Sequence, residues 1–252
     1  MKRTVVISTA LLVLGITVPR AQDLASATGT LLFGTTVLQT NSASTQEELP
    51  GLGHKFELLG GMRDDKDPDN LTNDTISIDT TGGVIGLAFR ELPPGIKIAA
   101  LDDQLGFKYF FVAPRTCAGG SPRVTLLIDS DGDGDFDFAA HGHPNSPLFA
   151  ACPMDMWIYE NLTDNLKRWE TTPATAVAPP CGPIGAATTC TWDELETRVS
   201  AFPNHQVLSG FLLDGESCGF PSPPGCGKAY YDLLTIENRT LENDEDTVKN
   251  GN

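Results

Sequence analysis

Five aspartates crowd into nine residues at Asp129-Ser130-Asp131-Gly132-Asp133-Gly134-Asp135-Phe136-Asp137. Hard cations such as calcium take roughly six to eight oxygen ligands at about 2.3–2.6 Å, so a short loop can supply them only by wrapping around the ion. Carboxylates at alternate loop positions give that wrap, and a glycine at the sixth position permits its sharp turn. Asp129, Asp131, Asp133 and Gly134 occupy loop positions one, three, five and six, with Asp135 and Asp137 following at seven and nine. An EF-hand would need a bidentate glutamate at the twelfth position, where this chain has Ala140. The run is therefore read as a calcium loop between strands, with Asp129, Asp131, Asp133, Asp135 and Asp137 as ligands and calcium in a structural role. The competing reading is a solvated acidic hairpin that keeps a sheet edge soluble.

Other chemistry is thinner. His141-Gly142-His143 places two imidazoles two residues apart, but no third ligand follows at metal-site spacing. The segment from 141 to 147 reads instead as a Gly/Pro-rich loop with exposed histidines. Trp157 and Tyr159 share one face of an extended segment and are the candidate ligand-binding pair, with a packed core face as the alternative. No catalytic residue is assigned. The metalloprotease run H-E-x-x-H is absent. Carboxylate pairs for glycoside cleavage can be drawn from Asp193, Glu194 and Glu196, or from Asp214 and Glu216, but so acidic a chain provides such pairs by composition alone.

The chain ends and the cysteines bear on where this chemistry operates. Lys2 and Arg3 precede an uncharged apolar run from Thr4 to Val18, broken at Pro19-Arg20-Ala21. That is the order of a secretory signal peptide over residues 1–21, with cleavage as late as 27 as the other option. Residues 28–241 are expected to form one β-sandwich domain, and 242–252 an acidic tail. With 17 Lys+Arg against 33 Asp+Glu, the net charge of −16 opposes nucleic-acid binding. No later segment reads as a membrane span. Six cysteines, Cys117, Cys152, Cys181, Cys190, Cys218 and Cys226, follow the leader, an even number suited to disulfides in an oxidising compartment. Cys181/Cys190 and Cys218/Cys226 each bracket a short Pro/Gly-rich stretch, which leaves Cys117 with Cys152 across the aspartate loop and bracing it.

The elements that would carry these residues are mostly strands. Thr75–Asp79, Lys55–Leu58, Leu87/Phe89 and Ile96/Ile98 alternate with period two. Phe107–Val112 and Val124–Ile128 are continuously apolar, as strands buried on both faces should be. Met156–Glu160, Gln206–Asp214 and Tyr230–Glu237 are further strand candidates, whereas Asp64-Asp65-Lys66-Asp67-Pro68-Asp69 reads as a solvated loop. One helix is predicted, starting at a Thr191/Glu194 capping box and ending before Pro203. The fold class is all-β, an antiparallel β-sandwich of jelly-roll type with one short helix.

Cys117-Ala118-Gly119-Gly120-Ser121-Pro122-Arg123, the aspartate loop, Cys152-Pro153, Tyr230-Tyr231-Asp232 and Thr240-Leu241-Glu242 together form an ordered series. It resembles a group of uncharacterised secreted bacterial and archaeal β-sandwich domains. The resemblance spans about residues 53 to 243 and supports the Cys117–Cys152 pairing. It implies a jelly-roll fold like that of carbohydrate-binding modules, with Asp232 as a candidate holder of a structural calcium. The functional expectation is a secreted, non-enzymatic, calcium-binding module whose partner is a glycan or cell-surface component. The alternatives are a carbohydrate-active enzyme with an acidic cleft and a purely structural extracellular protein.

Overall fold

The computed structural model describes residues 30–33, 36–39, 56–117, 122–144, 151–166, 169–173, 180–182, 189–215, 226–237 and 239–241. The expected leader at 1–21 and the tail at 242–252 lie outside them, as does Cys218. A separate hairpin joins β1 (Thr30–Phe33) to β2 (Thr36–Gln39). The remaining strands make two six-stranded sheets in which every pairing is antiparallel.

The first sheet runs β10 (Ile158–Asn161), β7 (Leu105–Phe111), β13 (Lys228–Ile236), β5 (Asp74–Asp79) and β4 (Arg63–Lys66), with β14 (Arg239–Leu241) also beside β13. The second runs β11 (Trp169–Pro173), β9 (Phe138–Gly142), β8 (Arg123–Asp129), β12 (Gln206–Asp214), β6 (Gly86–Glu91) and β3 (Glu57–Gly60). One α-helix, α1 (Trp192–Ser200), stands among the described residues. The expected antiparallel sandwich with a short helix is thus present; jelly-roll winding is not among the features these strand orders establish.

Alternation explains the core. Ile76 and Ile78 of β5, Phe107, Tyr109 and Phe111 of β7, and Tyr231 of β13 point inward from the first sheet. They meet Val124, Leu126 and Ile128 of β8 and Leu212 of β12 from the second. At Gly210 any Cβ would stand 2.8 Å from Ile236 Cγ2, so glycine lets the sheets close there. The second sheet is apolar on its other face as well. Leu59, Ile85, Leu87, Phe211 and Leu213 form a separate buried cluster, with Phe89 and Phe211 stacked at 6.2 Å. Two apolar faces are why β8 and β12 read as nearly continuous hydrophobic runs.

The helix begins as predicted. The Thr191 hydroxyl accepts from the Glu194 amide and the Glu194 carboxylate accepts from the Thr191 amide. Such a cap contributes about 1 kcal/mol, whereas burying Trp192, Leu195 and Val199 contributes roughly 1.5–3 kcal/mol each, so packing holds the helix and the cap sets its start.

Several expectations are corrected. Ile98 opens a 3-10 turn over Ile98–Leu101 instead of a strand. The acidic run at 64–69 is not a solvated loop: its first part is edge strand β4, and Asp67 is buried. The histidines are not exposed either. His141 lies in β9 and both rings are buried, His141 between the hydroxyls of Thr125 (2.9 Å) and Thr172 (2.6 Å), His143 beside Glu170 (3.3 Å).

Candidate metal centre

Strands β8 and β9 pair with Ile128 opposite Phe138, so the aspartate run is the hairpin loop between them. Asp129, the last residue of β8, is fully buried. Its Oδ1 accepts from the amides of Asp131 (3.1 Å) and Gly132 (2.6 Å), and its Oδ2 from the Gly134 amide (2.8 Å) and the Gln206 side chain (2.9 Å). The wrap depends on left-handed backbone at Gly132 (φ +85) and Gly134 (φ +96), the conformation that glycine supplies at least cost. Two further carboxylates continue the pattern: Asp131 accepts from the Asp133 amide at 3.2 Å, and Asp133 from the Asp135 amide at 2.9 Å. Asp137 closes the loop, accepting from the amide (2.8 Å) and hydroxyl of Ser130, while its own amide donates to the Ile128 carbonyl.

Three of the five expected ligands come together. Asp129, Asp131 and Asp137 each offer a carboxylate oxygen, and these oxygens lie within 4.8 Å of one another. Asp133 and Asp135 are exposed and stand outside that group. Electrostatics differ across the loop. Burial pushes the Asp129 carboxyl up, but the hydrogen bonds from Gln206 and the loop amides outweigh it and hold it below the usual carboxylate range. Asp131 goes the other way. The Asp133 amide pulls it down, yet desolvation and the charges of Asp133, Asp137 and Asp129 outweigh that pull and raise it. At Asp131 alone, desolvation and the neighbouring charges thus outweigh the one amide that it accepts.

The disulfides fall where the spacing places them, Cys117 with Cys152 and Cys181 with Cys190. Cys226 is also disulfide-bonded, but the expected pairing with Cys218 lies outside the described residues. The Cys117–Cys152 bond does not brace the aspartate loop. Arg115, two residues before Cys117, pairs with Asp214 beside Leu213. Leu213 pairs with Arg123 whereas Gln206 pairs with Asp129, so Cys117 lies toward the start of β8 and the loop at its other end, a strand length of about 20 Å at roughly 3.4 Å per residue. What abuts the loop is the connection from α1 to β12, where the Asn204 carbonyl would lie 3.2 Å from any Cβ at Gly132.

Trp157 and Tyr159 lie on the solvent side of the first sheet, not in the core. The Trp157 ring is engaged, with Lys108 Nζ 4.6 Å from its centroid, Phe110 edge-on at 5.7 Å, and its indole N–H donated to Asp67 at 3.2 Å. Tyr159 is 56% exposed. Asp232 also faces outward, 3.9 Å from Lys108 and apart from the aspartate group.

Some residues with evident roles were not legible in advance. Arg115 and Asp214 form a fully buried ion pair, and the Tyr231 hydroxyl donates to the same Asp214 oxygen at 2.6 Å. One further spacing, Gly215-Glu216-Ser217-Cys218-Gly219, is a G-x-S-x-G run that none of the sequence expectations included. A nucleophile elbow needs a strand-to-helix turn in an α/β sheet. Here Gly215 leaves an antiparallel strand of a sandwich, and Ser217 lies outside the described residues.

No family model, curated protein or solved structure matches this chain. Its function has to be argued from the site.

Proposed function

We propose that this chain is a secreted, non-enzymatic β-sandwich module whose β8–β9 loop binds calcium in a structural role. The observation that carries the reading is the grouping of Asp129, Asp131 and Asp137 oxygens within 4.8 Å. Oxygens with separations up to 4.8 Å stand at or slightly beyond calcium's ligand distance of about 2.3–2.6 Å from a common centre, so small side-chain rotations bring all three to one ion, with water and backbone carbonyls completing the shell. The raised Asp131 carboxyl supports it, because a divalent cation relieves that repulsion. The disulfides and the apolar leader support an extracellular site of action.

A second reading has its own observation. Asp129 already accepts four hydrogen bonds, enough to fill a carboxylate's acceptor sites, so the loop has an internal anchor without an ion. A purely structural protein with an ion-free acidic loop would look like this. For calcium to bind, the Gln206 amide must yield or share Asp129 Oδ2. Titration calorimetry separates the two. The calcium reading predicts a dissociation constant on the order of 10⁻⁴ to 10⁻³ M, as in extracellular modules, and loss of binding in Asp137→Asn. Absence of binding in the wild type, or unchanged binding in that variant, favours the structural reading.

A further inference from the structure

We infer that Asn70, in the turn between β4 and β5, is an acceptor for N-linked glycosylation from a lipid-diphosphate-linked oligosaccharide. The chain holds four N-x-T sequons, at Asn70, Asn73, Asn161 and Asn238, the last outside the described residues. In such a motif the amide nitrogen must reach the donor, the hydroxyl two residues on must be open to the transferase, and the surface must have room for a bulky glycan. Asn70, Leu71 and Thr72 are all exposed, Leu71 at 75%. The turn is held without the amide nitrogen. Asn70 Oδ1 accepts from the amide (3.3 Å) and the hydroxyl (2.8 Å) of Thr72. The Asn70 backbone amide donates to the Asp67 carboxylate at 3.2 Å, and its carbonyl accepts from the Asn73 amide at 2.9 Å. Asn70 Nδ2 has no partner among the described residues. Transfer forms the bond from Nδ2 to C1 of the sugar and breaks the bond from C1 to the diphosphate oxygen. The lipid diphosphate leaves, and one Nδ2 proton passes to a base of the transferase.

Burial separates this sequon from the other two that are described. At Asn161 the same turn recurs, with Oδ1 accepting from the amide (3.0 Å) and the hydroxyl (2.8 Å) of Thr163. There, however, Leu162 is fully buried, and the buried Thr163 hydroxyl also accepts from the Asp103 amide at 3.2 Å. Asn73 donates its Nδ2 to Asp67 at 3.4 Å, and the hydroxyl residue of its motif, Thr75, is fully buried in β5. Three sequons of one type therefore differ in what the folded chain presents, and Asn70 alone among them offers nitrogen, hydroxyl and surface together. The inference goes beyond the calcium loop and shares with that reading only the secretory route on which such donors are met.

The test is transfer in vitro to the folded full chain, using a lipid-diphosphate-linked oligosaccharide and a single-subunit oligosaccharyltransferase that reads N-x-S/T. A short N-x-T peptide in the same reaction confirms that the enzyme is active. Glycan release in heavy-oxygen water then leaves a labelled aspartate at each occupied position, which mass spectrometry of fragmented peptides assigns. The label is expected at Asn70 and not at Asn73 or Asn161. Asn70→Gln and Thr72→Ala should each abolish that label, and Thr72→Ser, which keeps the hydroxyl, should retain it. No label at Asn70 while the peptide is glycosylated would overturn the site. So would an undiminished label in Thr72→Ala, or Asn161 filled as readily as Asn70 in the folded chain. Asn70→Gln should bind calcium like the wild type in calorimetry, so failure of this site is distinguishable from failure of the calcium reading.

Discussion

The indole N–H of Trp157 donates to the buried carboxylate of Asp67 at 3.2 Å, although the two residues flank opposite edge strands of the first sheet. The chain after β4 therefore folds back over the face that carries Phe110 and Tyr230, which explains why Phe110 is buried despite pointing outward. Asp67 organises that segment. It also accepts from the amides of Asp69 (2.7 Å) and Asn70 (3.2 Å) and from the Asn73 side chain (3.4 Å), which together hold its carboxyl low against the opposing effect of burial.

Asp67→Ala should therefore release the segment and expose Trp157, at a cost of about 1–3 kcal/mol for the donors left unpaired. Trp169 and Trp192 are fully buried, so a red shift in tryptophan emission with the fold retained reports Trp157. An unshifted spectrum would show that the Asp67 contact does not hold the indole.

The Arg115–Asp214 pair ties the loop after β7 to the end of β12, and Tyr231 joins it from the opposite sheet. Burial opposes the charge on Arg115, but Asp214 and Tyr231 more than offset it, so the guanidinium remains fully charged. Asp214→Ala leaves that buried charge uncompensated and should cost about 3–5 kcal/mol in chemical denaturation. Tyr231→Phe removes one hydrogen bond to a charged group and should cost less, about 1.5–3 kcal/mol.

His141 gives a pH dependence. Burial, then the charges of Arg123 and His143, push its pKa well below the usual 6.5; His143 in turn faces Glu170. The native ring stays neutral while the unfolded one takes up a proton, so its contribution is present above about pH 6.5 and is lost as pH falls below that. Denaturation between pH 7 and pH 5 should show stability falling by up to about 1.4 kcal/mol per pH unit from this group. His141→Gln should flatten the profile, and an equally steep profile in the variant would remove His141 as its source.

Asp65 titrates lower. Burial raises its carboxyl, but the Lys228 ammonium at 2.6 Å, the Lys66 amide and the Ser77 hydroxyl outweigh it and bring the pKa down to about 2. Its contribution is present above about pH 4 and is lost as pH falls toward about 2. Lys228→Met should return the Asp65 pKa toward the ordinary range in an NMR titration; a value unchanged at about 2 would assign the shift to the other two donors.

What could be read in the sequence was local. Period two placed β5 and β6, continuous apolar runs placed β7 and β8, the capping box placed α1, and short spacing placed Cys181 with Cys190. The run Phe138-Ala139-Ala140-His141-Gly142 was missed as a strand because two alanines, a histidine and a glycine carry little alternation. The charged strand β4 was missed because Asp65 is satisfied by Lys228, 163 residues away. Arg90 is hidden for the same reason, since its partners Ile236 and Glu237 lie across the sandwich. In the aspartate loop the crowding of carboxylates and the two turn glycines were legible. Which three carboxylates converge was not, because that depends on backbone turns at Gly132 and Gly134 and on Gln206 arriving from β12.

The most direct test of the calcium loop is a pair of thermal melts of the full chain, one with millimolar calcium and one with excess chelator. A ligand that binds only the folded state stabilises it by RT ln(1 + [L]/Kd), so calcium should raise the melting temperature, chelator should reverse the rise, and Asp137→Asn should abolish it. Superimposable wild-type curves with and without chelator would contradict the account.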